Sequence, residues 1–188
     1  DGASSLKAQI VNVLGQDVKF EKGIPEFEVR FDQLGRGRMH DMGIFGETKS
    51  GKSLFVGLEA KVDEPFGSIV RDEYLTAKAK QIAGKSTNAP ERIENLLKLH
   101  FSEPNPNMFD VRYQLLYATL GTLGAGADIS ILYVIVFKTE LYDEVKSAEN
   151  YRDYVHFMGS IGAEPLKLSS KAIQGHKMLL DGKELICL

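Results

Sequence analysis

A chain of 188 residues, 43% hydrophobic and 26% charged, suits one folded domain over residues 1–188 and excludes a disordered segment. The formal net charge of −3 excludes a uniformly basic nucleic-acid coat, so contact with a polyanion has to come from local patches. No apolar run has the length of a membrane span, no basic-then-apolar leader opens the chain, and the single Cys187 has no internal partner. A reducing, cytoplasmic setting is therefore expected.

Leu6, Ile10, Val13 and Leu14 recur at helical spacing and predict a helix over residues 3–14. Residues 26–34 alternate, with Phe27, Val29 and Phe31 on one side and Glu26, Glu28 and Arg30 on the other, as in a strand. Gly35-Arg36-Gly37-Arg38 reads as a loop, residues 41–46 as a short strand and residues 47–52 as a polar turn. Next, Leu54, Val56, Leu58, Ala60 and Val62 alternate with Phe55, Gly57, Glu59, Lys61 and Asp63. That spacing predicts a strand, ended by Pro65 and Gly67, that puts Glu59 and Lys61 on one face.

Helices are expected over 68–83 and over 90–101, with Pro90 in the first turn of the second. After a loop at 102–107, Asp110 would cap a third helix over 111–123, which Gly124-Ala125-Gly126 stops. Residues 129–137 form an apolar run typical of a strand covered on both faces. A helix over 150–160 and a hairpin of 177–180 with 183–188, turning at Asp181-Gly182, complete the chain. The pattern is that of a mixed α/β or α+β domain with strands clustered early.

If the strands around residues 48–51 form an antiparallel hairpin, residues whose numbers sum to about 100 face one another, and Asp41 meets Glu59. Two neighbouring carboxylates repel unless a cation joins them. Magnesium, or manganese, suits such an oxygen site, with the Ala60 carbonyl as a further ligand. Lys61, two residues on, would orient a water or stabilise a transition state, so the parts suit phosphodiester hydrolysis. The alternative is a solvent-facing strand pair that carries ordinary charges.

Asp41, followed by an apolar strand ending Leu58-Glu59-Ala60-Lys61, resembles the D…(D/E)-x-K signature of the PD-(D/E)XK nuclease superfamily. Glu59-Ala60-Lys61-Val62-Asp63-Glu64-Pro65-Phe66-Gly67 and Arg112-Tyr113-Gln114-Leu115-Leu116 further resemble a poorly characterised bacterial branch of it, over roughly residues 36–137. The resemblance implies a restriction-endonuclease-like α-β-β-β-α-β core, a divalent metal and cleavage of DNA or RNA, although some members serve without turnover. His40 stands where many members have proline. Some exonuclease-like members carry Gln-x-x-x-Tyr on the helix after the lysine; here Gln114 and Tyr117 are three apart. Arg112 on that helix is a candidate for holding a phosphate.

Arg36, Arg38 and His40, with Lys49 and Lys52, offer a basic rim for a nucleic-acid backbone, DNA in first place; solvated loop charge is the plain alternative. Gly46-Glu47-Thr48-Lys49-Ser50-Gly51-Lys52-Ser53 fits the G-x-x-x-x-G-K-S nucleotide-binding formula, but that mechanism needs a helix after the loop. The alternation after Ser53 makes it a hairpin turn instead. Glu26 and Glu28 are minor candidates for a third ligand, and His156 reads as structural.

Overall fold

A computed structural model describes residues 2–140, 142–168 and 175–188. In chain order it contains α1 (Gly2–Leu14), β1 (Val18–Val29), β2 (Arg38–Thr48), β3 (Ser53–Lys61), α2 (Val70–Ile82) and α3 (Ala89–His100). A 3-10 turn at Pro106–Phe109 leads to α4 (Tyr113–Gly124), β4 (Ile129–Val136), α5 (Glu144–Ser160), β5 (Glu164–Pro165), β6 (His176–Leu180) and β7 (Lys183–Cys187). The strands form one seven-stranded mixed sheet in the order β1-β2-β3-β4-β7-β6-β5. β1, β2 and β3 form an antiparallel meander, and β4 lies parallel to β3 after the excursion through α2, α3 and α4. The domain is therefore mixed α/β in the α+β sense. No helix among the described residues is long and apolar enough to cross a membrane.

The sheet separates two apolar cores. On one side Leu6 and Ile10 of α1 pack on Ile44, Leu54, Val56, Ile131 and Tyr133. On the other, Ile93, Leu96 and Leu97 of α3, Leu115 and Leu116 of α4, and Phe157 and Met158 of α5 cover Leu132 and Leu185. Strands β3 and β4 lie centrally, so both faces of each are buried, which explains the near-continuous apolar run of β4.

Several boundaries differ from expectation for local reasons. β1 runs over Val18–Val29, not 26–34, because it pairs with the whole of β2, from Val18↔Thr48 to Val29↔Arg38. Its charged residues and Pro25 hide that strand in the sequence; an edge strand tolerates both. After Val29 the chain leaves the sheet, and Asp32 is held by the Arg92 guanidinium at 2.6 and 2.7 Å. Arg38 opens β2 rather than closing a loop. α5 begins at Glu144 because Asp143 accepts bonds from the amides of Val145 and Lys146. Asp110 is not the cap of α4: Arg112 occupies that position, and Asp110 pairs with Arg71 at 2.6 Å. The last hairpin turns at Asp181 and Gly182, whose φ angles of +51° and +72° suit the two-residue turn the sequence suggests.

The glycine-lysine loop closes the β2–β3 hairpin, with the Thr48 amide bonded to the Lys52 carbonyl at 2.9 Å. A strand, not a helix, follows it, so its amides are not joined by a helix N-terminus.

Candidate functional site

The β2–β3 register runs from Glu47↔Ser53 to Met42↔Leu58, pairs whose numbers sum to 100 as the sequence suggests. Beyond Met42 the inward–outward alternation of β2 breaks: His40 is buried, Asp41 and Met42 are both exposed, and Gly43 is buried. The neighbouring strand changes hand nearby, at Glu26, whose φ is +48°. Phe27, paired with His40, thereby lies over Gly43 and joins Phe45 and Phe55 in an aromatic cluster with ring centroids 5.0–5.7 Å apart.

This kink decides what meets Glu59. Residue 40, not 41, turns inward, and the His40 Nδ1 donates to Glu59 Oε1 at 2.9 Å. From α4, Gln114 Nε2 donates to Glu59 Oε2 at 2.6 Å. Glu59 is only 2% exposed, so these donors replace the water that its carboxylate loses on burial. Asp41 has a different role: its Oδ2 accepts the amide of Ala60, the residue after Glu59, at 2.6 Å, where a regular ladder would present a backbone carbonyl. N–H and C=O of a strand residue point the same way, so the Ala60 carbonyl also faces the Asp41 side.

Lys61 shares the Glu59 face but is shielded. Its side chain is 8% exposed, its amine lies 5.4 Å from the Phe66 ring centroid, and Glu64 Oε1 is 3.9 Å away. Helix α5 holds the segment that follows: Lys146 reaches Asp63 at 3.3 Å and Asn150 donates to the Glu64 carbonyl at 2.8 Å.

The other candidates divide sharply. Arg38 belongs to the site: its guanidinium carbon lies 4.7 Å from the Tyr117 ring centroid and 5.4 Å from that of Tyr113, whose hydroxyl accepts an Arg38 N–H at 3.2 Å. Burial pushes the Tyr117 hydroxyl up to about 12, and the nearby Glu59 charge adds to the rise, so it stays a protonated donor. Arg112 does not face Glu59. It donates to Asp153 at 2.7 Å and to the Gly67 carbonyl at 3.0 Å, and so ties α5 to the turn before α2. Lys49 and Lys52 flank the β2–β3 turn, on the order of 20 Å along β3 from Glu59. Arg36 is exposed in the loop before β2, where its carbonyl accepts from Arg92. Glu28 bonds the Gly37 amide, Glu26 sits at the β1 kink, and His156 is exposed on α5. The basic rim is thus dispersed, and Arg38 is the member that packs on the α4 tyrosines, one of which, Tyr117, lies near the Glu59 charge.

Sequence spacing missed the part played by His40. Its imidazole enters the site only because β2 kinks, and no two-residue period announces that. Its traces in the sequence are the glycines at positions 57 and 121, which face the buried ring.

Among the described residues no three His, Cys, Asp or Glu side chains form a metal cluster, so a cation here would rest on two carboxylates, a carbonyl and water. That hard, all-oxygen donor set suits Mg2+ or Mn2+. Each Glu59 oxygen keeps a lone pair beyond its one hydrogen bond, and Asp41 keeps Oδ1. In donor chemistry the residues therefore fit the ion.

A model of a domain of unknown function, DUF6946, matches residues 2–187 of the chain. No curated protein and no solved structure matches it.

Proposed function

The chain belongs to the DUF6946 family, and we propose that it is a metal-dependent nuclease that hydrolyses phosphodiester bonds of nucleic acid, DNA in first place. The observation that carries this reading is the 2.6 Å bond from Gln114 on α4 to Glu59, beside the Asp41 carboxylate on the Ala60 amide. It joins the acid–acid–lysine strand pair to the helix on which exonuclease-like members of the PD-(D/E)XK superfamily carry their glutamine. The succession α1, β1, β2, β3, helices, β4 further supports a restriction-endonuclease-like core.

Asp41, Glu59 and the Ala60 carbonyl would hold Mg2+ or Mn2+. Such an ion lowers the pKa of a bound water and neutralises charge growing on a phosphate. His40 and Gln114 fix the Glu59 carboxylate. Lys61, on the same face and shielded by Phe66, supplies an amine to orient the attacking water. Arg38, kept flat by Tyr113 and Tyr117, offers its remaining N–H groups to the phosphate.

The occupied Glu59 oxygens favour a second reading, a nuclease-fold binding module without turnover. Plasmid DNA and labelled single-stranded DNA and RNA, incubated with Mg2+ or Mn2+, separate the two. Cleavage should stop in EDTA and fall at least about 100-fold in Glu59→Gln and in Lys61→Met while both variants keep their fold. Cleavage that survives both changes refutes the site. No cleavage of any substrate, together with no specific Mn2+ binding, selects the binding module.

A further inference from the structure

We infer that His40 is a positioning residue for the cation site: its imidazole, seated in a slot left open by two glycines, holds the Glu59 carboxylate in the orientation that ligation needs. This rests on the reading of Glu59 as a metal ligand. The contact is short and dry, 2.9 Å between side chains that are 3% and 2% exposed. Around the ring the fold makes room. A Cβ at Gly57 of β3 would stand 2.8 Å from His40 Cε1 and 2.7 Å from Thr122 Oγ1, and one at Gly121 of α4 would stand 3.3 Å from Nε2. The Phe55 ring closes another side at a centroid distance of 6.1 Å, and Thr122 Oγ1 lies 3.5 Å from Nε2. The ring is thus held from β3 and from α4 at once.

The backbone is arranged for the same end. β2 gives up its alternation so that His40 points inward while Asp41 reaches the Ala60 amide. With Gln114 on Oε2 and His40 on Oε1, both Glu59 oxygens are oriented by donors from different elements. Rotation of the carboxylate would break one bond or both, which is costly for a side chain only 2% exposed. A ligand held in this way meets a cation without reorganising.

The test is a Mn2+ titration of the metal-free full chain, followed by electron paramagnetic resonance, on wild type, Glu59→Gln, His40→Leu and His40→Asn. His40→Leu fills the slot without a donor, whereas the asparagine amide nitrogen stands near the place of Nδ1. His40→Leu should weaken Mn2+ binding about 10–100-fold, and His40→Asn should restore it to within a few-fold, with like thermal midpoints for the two. Unchanged affinity in His40→Leu, where Glu59→Gln has lost binding, overturns the inference and spares the proposed function. Equal weakening in both His40 variants also overturns it, since packing alone would then explain the loss. Wild type that binds no Mn2+, or Glu59→Gln that binds as wild type does, removes the cation site itself and the inference with it. Should His40→Leu fail to fold, Gly121→Ala displaces the ring by a few tenths of an ångström, and several-fold weaker binding is then expected; no change in that variant overturns the inference.

Discussion

The two faces of β3 were built for different ends. Toward α1 the strand presents Leu54, Val56 and Leu58, an unbroken apolar row against Leu6 and Ile10. Toward α4 it presents Phe55, Gly57, Glu59 and Lys61, a row that passes from aromatic, through an absent side chain, to an acid and an amine, all buried. The first face needs only volume and shape. The second needs a partner for each polar group: α4 supplies Gln114 for Glu59, and the segment after the strand supplies Glu64 and the Phe66 ring for Lys61. One strand can thus carry an apolar row and a polar row by its pleat, because a period of two keeps the rows apart.

Breaking the α1 face should cost the most stability. Leu54→Ala leaves a cavity against Ile131 and Val56 and is expected to lower the unfolding free energy by about 2–5 kcal/mol in denaturant titration. Mn2+ affinity at native temperature should stay at the wild-type value. A parallel loss of affinity would show that the two faces are coupled.

The helical side should answer to pH through a buried imidazole. His100 is buried between α3 and α4, with Nδ1 donating to the Leu96 carbonyl and Nε2 accepting from Thr119, each at 2.7 Å. Burial lowers its pKa from 6.5 to about 4. The unfolded chain takes up a proton below about pH 6.5 that the folded chain refuses until about pH 4, so stability falls as pH drops through that window. The full loss from this residue is about 3 kcal/mol. Denaturant titrations from pH 7 to pH 4 measure it, and His100→Gln should flatten the slope.

The smallest expected change concerns Arg112. With the pair to Asp153 lost, Arg112→Ala should destabilise by about 1–2 kcal/mol, through a looser α5, yet leave the Mn2+ dissociation constant unchanged. A large fall in affinity would restore Arg112 to the site from which its geometry removes it.

Much of this layout is legible residue by residue. The alternation of 54–62 reveals the strand, its faces and the common side of Glu59 and Lys61, because side-chain direction in a strand follows local covalent geometry. Helix α4 and the terminal hairpin are legible for like reasons. The β1 boundary and the capping part assigned to Asp110 are not, because long-range partners override local signals there: β2 for the strand, Arg71 for the acid. Lys49, Lys52 and Arg36 look clustered with Arg38 in a list of charges, but a strand of nine residues holds the hairpin lysines away from the carboxylates.

By itself the sequence determined the class of the domain, the centre of its sheet and the acid–x–lysine row, since these rest on periods of two and of 3.6 residues that each segment carries alone. Only the tertiary structure decided that His40 rather than Asp41 meets Glu59, that Gln114 completes the contact and that Arg112 turns to Asp153. Those outcomes depend on a kink shared by β1 and β2 and on the docking of α4 and α5, which arise from packing between segments distant in the chain.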